Sequence, residues 1–170
     1  MNPRRLTALR EFIPLEQRLH SPDRLSCMDT IETHRLVYAS TFNLGRIDSA
    51  PIALRDILSA SRRNNAKDGI TGYLIFDGET FLQILEGPRS AIEVVVLRIE
   101  NDKRHRAMTV LGFKPSSGRL FPDWSMAAYL RSEAHQEVFT RHGFAGKINR
   151  STLSDNRVVS LAIELSTLTV

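Results

Sequence analysis

Apolar and polar positions alternate in short runs along the middle of the chain, and two stretches switch to helical spacing. His34-Arg-Leu-Val-Tyr-Ala-Ser-Thr41 is short and rich in strand-forming residues, which predicts a first strand. A loop follows from Phe42 to Ala50, and Pro51 suits the first turn of a helix. That helix has Leu54, Ile57 and Leu58 on its inner stripe, and the same stripe seven residues on reaches Asn64 and Asn65. Two amides thus end an otherwise apolar face. Asp68-Gly69 breaks the helix, and Ile70 to Phe76 read as a strand apolar on both faces. Asp77-Gly78 is a strong hairpin signal, with Glu79 to Leu85 as the returning strand. Glu86-Gly87-Pro88 starts a second helix, whose Ile92, Val95, Val96 and Ile99 fit the i, i+3, i+4, i+7 rule. It ends at Asp102-Lys-Arg-His105, where cations favour the helix C-terminus. Thr109 to Phe113 and Asp123 to Tyr129 supply two more strands.

The order strand, helix, hairpin, helix, strand, strand predicts an α+β, ferredoxin-like fold: a five-stranded mixed sheet with both helices on one face. The central strands are apolar on the other face too, so something must cover it. Helices near Ser132 to Arg141 and Ser154 to Leu168 are the expected cap, Val158, Leu161, Ala162 and Leu165 giving the latter a broad apolar side. The chain divides into an N-terminal extension over 1–33, a domain over 34–128 and a helical cap over 129–170. In the extension, Pro3, Pro14 and Pro22 interrupt any long helix and the charges cancel. It is either an upstream start that a shorter product lacks or a partner-binding extension.

Composition narrows the class. With 42% hydrophobic residues over 170, a core is affordable and wholesale disorder is excluded. No run approaches a membrane span, and the N-terminus lacks the pattern of a secretory signal. A single cysteine, Cys27, makes no internal disulfide and no multi-cysteine metal site. A cytoplasmic protein away from the membrane is the expectation. The net charge of +4 and pI near 9.6 invite a nucleic-acid reading, but no recognition motif supports it. There is no G-x-G-x-x-G, no P-loop lysine, no H-E-x-x-H and no G-x-S-x-G, so nucleotide, metal and serine-hydrolase sites are not expected.

Several polar residues sit where a simple core would not place them. Alternation puts Leu36, Tyr38 and Ser40 on one strand face, Phe81, Gln83 and Leu85 on another, and Trp124, Met126 and Ala128 on a third. If these faces meet the helices, a phenol and three carboxamides surround one cavity, which suits a flat heteroaromatic ring with donors and acceptors along its edge. Each has a plainer reading: Tyr38 as core, Asn64 and Asn65 as helix caps, Met126 as a gap-filler. Gln83 resists one, since glutamine within Phe-Leu-Gln-Ile-Leu is seldom buried without a purpose.

Taken jointly, Ser61-Arg-Arg-Asn-Asn-Ala-Lys-Asp-Gly-Ile-Thr-Gly72, Phe81-Leu-Gln-Ile-Leu-Glu-Gly-Pro88, Asp102-Lys-Arg-His105 and Phe121-Pro-Asp-Trp-Ser-Met126 closely resemble the BLUF family of flavin-binding blue-light sensors. The resemblance covers about residues 34–128, and the helices after it look like those of short, single-domain members. It implies noncovalent FAD between the two helices, and no enzyme activity in this chain. It assigns Tyr38 as the light-driven electron and proton donor, Gln83 as the switch beside the flavin N5/O4 edge, and Trp124 and Met126 as the signal relay. Asn65, with Asn64 beside it, holds the pyrimidine edge; Ile57 and Ile99 clamp the ring faces; Arg98 and His105 are nearby contacts. Ser40 and Arg104 complete the expected cofactor-binding set, Arg98 and Arg104 suiting a cofactor with a pyrophosphate. Ala39 departs from the polar residue some members carry there, without touching a flavin contact. The LOV mechanism needs a pocket cysteine, and Cys27 lies in the extension. The implied partner is a separate regulatory protein or enzyme, together with assembly of copies of the chain, and neither nucleic acid nor membrane. The alternative is a light-insensitive ferredoxin-like interaction module that binds no flavin.

Overall fold

The computed structural model describes residues 32–43 and 50–168. Strands β1 (Thr33–Phe42), β2 (Thr71–Phe76), β3 (Thr80–Pro88), β4 (His105–Pro115) and β5 (Ala127–Leu130) form one sheet in the order β4-β1-β3-β2-β5. Every neighbouring pair is antiparallel except β2 with β5, which run parallel. Helices α1 (Ala50–Asp68) and α2 (Arg89–Asn101) cover one face, and α3 (Gln136–Arg141) and α4 (Asp155–Leu168) cover the other. This is the expected mixed-sheet α+β fold. The expected extension over 1–33 lies almost wholly outside the described residues.

Strand alternation divides the molecule into two cores. Leu36 and Tyr38 of β1 and Phe81 and Leu85 of β3 pack with Leu54, Ile57, Ile92, Val95 and Val96 of α1 and α2. Their neighbours Val37, Ala39, Leu82 and Ile84 turn the other way, onto Val138 and Phe139 of α3 and Val158, Leu161, Ala162 and Leu165 of α4. A one-residue slip would exchange the two sets, so the register is strongly specified. Tyr38 lies directly opposite Gln83, and Leu74 of β2 is opposite Gln83 on its other side.

Three local readings shift. In the β2–β3 hairpin the positive φ (+98°) falls on Gly78 alone, as at the first central position of a type II′ turn. Asp77 stays in the pairing position, and its carboxylate accepts from the N–H groups of Glu79 and Thr80. β4 begins at His105, four residues before the expected Thr109. β5 begins at Ala127, not Asp123, because the preceding residues form a turn, with Trp124 N–H donating to Phe121 O. Gly72 lets β3 come close, since a Cβ there would stand 2.2 Å from Ile84 O, and its N–H donates to Trp124 O of this turn at 3.0 Å.

Candidate functional site

Tyr38 and Gln83 are both buried under α1 and α2. The Tyr38 phenol donates to Gln83 Oε1, and Gln83 Nε2 donates to Met126 Sδ at 3.2 Å. A phenol, an amide and a thioether thus form a directed chain from β1 through β3 to the residue before β5. Burial, and after it the negative charge of Asp102, push the Tyr38 pKa well above the ordinary phenol value, so the O–H keeps its proton at neutral pH.

A cavity opens beside Gln83 between the helices. α1 contributes Ile57, Asn64 and Asn65, and α2 contributes Arg98 and Ile99. Arg104 and His105, in the turn after α2 and at the start of β4, close one end. Asn65 is 2% exposed, and its Nδ2 donates to Ser125 O at 2.8 Å. Asn64 is exposed at the rim and reaches the same cavity. Ser40 is not in the lining; its hydroxyl lies 2.9 Å from His105 Nδ1 and braces that ring from behind. Burial lowers the His105 pKa to about 4 despite the opposing pull of Asp102, and Arg104 lowers it further, so the imidazole is neutral at pH 7.

The rim cations are already paired. Arg98 bridges to Asp68, and Arg104 Nε lies 2.9 Å from Asp102 Oδ1. Burial alone would raise the Asp102 pKa; hydrogen bonds from the Arg104 guanidinium and N–H outweigh it and hold the carboxyl below its usual range. Arg98 and Arg104 therefore meet an anionic ligand only by sharing or exchanging these carboxylates.

Met126 and Trp124 part company. Alternation placed them on one face, but Met126 is buried in the core beneath α1 and α2. Trp124 packs on the opposite core, 5.8 Å from the Tyr73 ring and 6.3 Å from Phe121. The period of two fails because Trp124 lies in the turn before β5. The cavity lining also includes Ala60, Ser61, Val95 and Asp102, which the sequence reading did not single out as site residues. Ser61 was within reach of it, standing between Ile57 and Asn65 at successive i+4 steps. Asp102 carried no such signal, since its place depends on how the chain leaves α2. Among the described residues, no group of His, Cys, Asp or Glu could hold a metal ion, and no helix is long and apolar enough to cross a membrane.

Comparison with known proteins gives these residues a setting. Photoactivated adenylate cyclase subunit beta of Euglena gracilis is 32% identical over 100 residues, covering 58% of this chain and 11% of that protein. The blue light- and temperature-regulated antirepressor BluF of Escherichia coli (strain K12) is 34% identical over 59 residues, 34% of this chain and 15% of the antirepressor. The chain thus spans only a small part of these curated relatives. Among solved structures, BlsA in its photo-activated state matches with a TM-score of 0.70 and 29% identity, over 78% of this chain and 94% of BlsA. BlrB, a BLUF protein in its dark state, matches with a TM-score of 0.66 and 29% identity, over 82% of this chain and 98% of BlrB. The family model described as BLUF, sensors of blue-light using FAD, matches residues 33–127, more than half of the chain. On sequence and fold together, the chain belongs to the BLUF family of blue-light sensors, whose cofactor is FAD.

Proposed function

We propose that this chain holds FAD noncovalently between α1 and α2 and reads blue light through Tyr38, Gln83 and Met126. The carrying observation is the directed chain from the Tyr38 phenol through Gln83 to the Met126 sulfur. The donor set fits the cofactor. Ile57 and Ile99 offer apolar walls from opposite helices, Asn65 and Gln83 offer amide donors and acceptors, and Arg98 and Arg104 stand at the rim for a pyrophosphate.

Held between the helices, the flavin would supply blue-light absorption and, when excited, an acceptor for one electron. Tyr38 can give up an electron and pass its phenolic proton by way of Gln83, and both return, so no net oxidation remains. Rotation of the Gln83 amide by half a turn brings Nε2 toward Tyr38 and Oε1 toward Met126. A thioether has no proton to donate, so Met126 loses its partner. Each hydrogen bond is worth about 1 kcal/mol net, enough to bias an interface near balance and far too little to unfold a domain. Ser40 fixes the His105 ring at the cavity end. In this reading residues 34–128 are the sensor and 129–170 its cap, with β5 passing the change from Met126 toward the cap and Trp124 resting on the cap side. The output goes to a separate regulatory protein or enzyme, or to another copy of the chain. In the same reading residues 1–33 are an N-terminal extension, and the chain carries no catalysis of its own.

An absorption spectrum in the dark and after blue light tests this. Flavin bands with a small reversible red shift are expected, and Tyr38→Phe and Gln83→Leu should each keep FAD and lose the shift. A normal shift in either variant would sink the switch, and a colourless protein that takes up no FAD would favour the interaction module.

A further inference from the structure

The flank of α1 beside β5 carries a feature that the light switch leaves unused. Leu54 and Leu58 line a groove of about 460 Å³ whose far wall is Leu130 of the edge strand β5. Arg55, Arg62 and Arg63 rim it, and among the described residues no carboxylate lines it. Leu54 and Leu58 stand one turn apart, and the lining positions from Leu54 to Arg63 run for about 14 Å, two and a half helical turns. Leu130 is 49% exposed. Among the described residues, Arg55 has only an exposed contact to its neighbour Asp56 at 3.6 Å, and Arg63 is held by Ser59 Oγ. Arg62 differs. Its Nε donates to the main-chain carbonyl of Met126 at 2.9 Å, the residue whose sulfur Gln83 engages.

We propose that this groove is a docking surface for an acidic amphipathic helix of a partner protein, and that Arg62 couples its occupancy to Met126. A short apolar floor of Leu54, Leu58 and Leu130 with arginines along its rim is complementary to a helix with an apolar stripe flanked by carboxylates. Arg62 spans the groove and the switch at once. While Met126 is held by Gln83, its carbonyl occupies Arg62 Nε. When Met126 shifts, that acceptor moves and the guanidinium is free to meet a partner's carboxylate, so docking tightens in the light. The surface itself stands on the groove, whereas its light dependence rests on the proposed switch.

The test uses the full chain loaded with FAD and a fluorescein-labelled 18-residue peptide, with leucines at helical i, i+3, i+4, i+7 spacing and glutamates flanking them. Its control has lysines for the glutamates. Anisotropy in the dark and under blue light should show the glutamate peptide binding at least about tenfold tighter than the lysine peptide, and tighter in the light. Leu130→Glu, at a half-exposed site that tolerates a charge, should abolish binding and keep the red shift. Arg62→Ala should weaken binding a few-fold and erase the dark–light difference, and Arg62→Lys should restore part of the affinity. Equal binding of both peptides, or none, with an intact red shift overturns the docking surface and leaves the switch standing. Binding that discriminates the peptides in a protein without a red shift upholds the surface and rejects the switch. A light effect that survives in Arg62→Ala removes Arg62 from the coupling. Self-association in sedimentation that Leu130→Glu abolishes assigns the groove to a second copy and overturns the proposal.

Discussion

The two faces of the sheet are built from the same strands and do opposite things. Toward α3 and α4, Val37, Ala39, Leu82 and Ile84 meet Phe139, Val158, Leu161 and Leu165 in a closed apolar layer. Its buried charge is at the edge, where Glu86 of β3 is satisfied by Arg35 Nε and by the N–H groups of Leu120 and Phe121. Toward α1 and α2, the alternate residues include Tyr38, Ser40 and Gln83, and Asn65 lies above them. Apolar burial is non-directional and gives one stable arrangement. A buried chain of hydrogen bonds is directional, and an amide within it has two ways to be satisfied. The cap face therefore supplies stability, and the helix face keeps a small number of exchangeable bonds.

That contrast can be broken by substitution. The largest effect is expected on the cap face. Leu161→Ala should cost about 2–5 kcal/mol in urea unfolding by opening a cavity, while any FAD-bound protein keeps its red shift. A lost shift at full occupancy would mean the two faces are not separable. Next comes Asn65→Ala on the helix face, which leaves Ser125 O without its donor. It should cost about 1–3 kcal/mol and weaken FAD retention, read by equilibrium dialysis; unchanged retention would remove Asn65 from the cofactor site. The smallest effect is the pH response of the helix face. The pKa of His105 is lowered to about 4 in the folded chain from 6.5, so the unfolded chain takes up the proton first. The stability owed to the neutral ring is whole above pH about 6.5 and falls as pH drops toward 4. His105→Gln should flatten that part of a melting-temperature profile, and an unchanged slope would reject the assignment.

Much of the helix face was legible without coordinates. Leu54, Ile57, Asn64 and Asn65 share a stripe by helical period alone, and a glutamine between Leu82 and Ile84 is conspicuous in any apolar strand. Period also misled. It carried β5 back to Asp123 and so put Trp124 beside Met126, because alternation says nothing about where a strand stops. Arg98 and Arg104 are offered by the sequence to an anionic cofactor, yet each has a carboxylate that the folded chain brings near: Asp68 from the end of α1, and Asp102 from the turn after α2.

The sequence by itself determined the order of elements, the residues that share each strand face and helix stripe, and the family to which they point. These follow from side-chain periods of 2 and 3.6 and from turn residues, which are local properties of the chain. Tertiary structure alone decided that Tyr38 stands opposite Gln83, that Met126 and not Trp124 completes their chain, and that Arg62 reaches the Met126 carbonyl. Those contacts join residues more than 40 positions apart, and their geometry is set by register and packing, which no local pattern encodes.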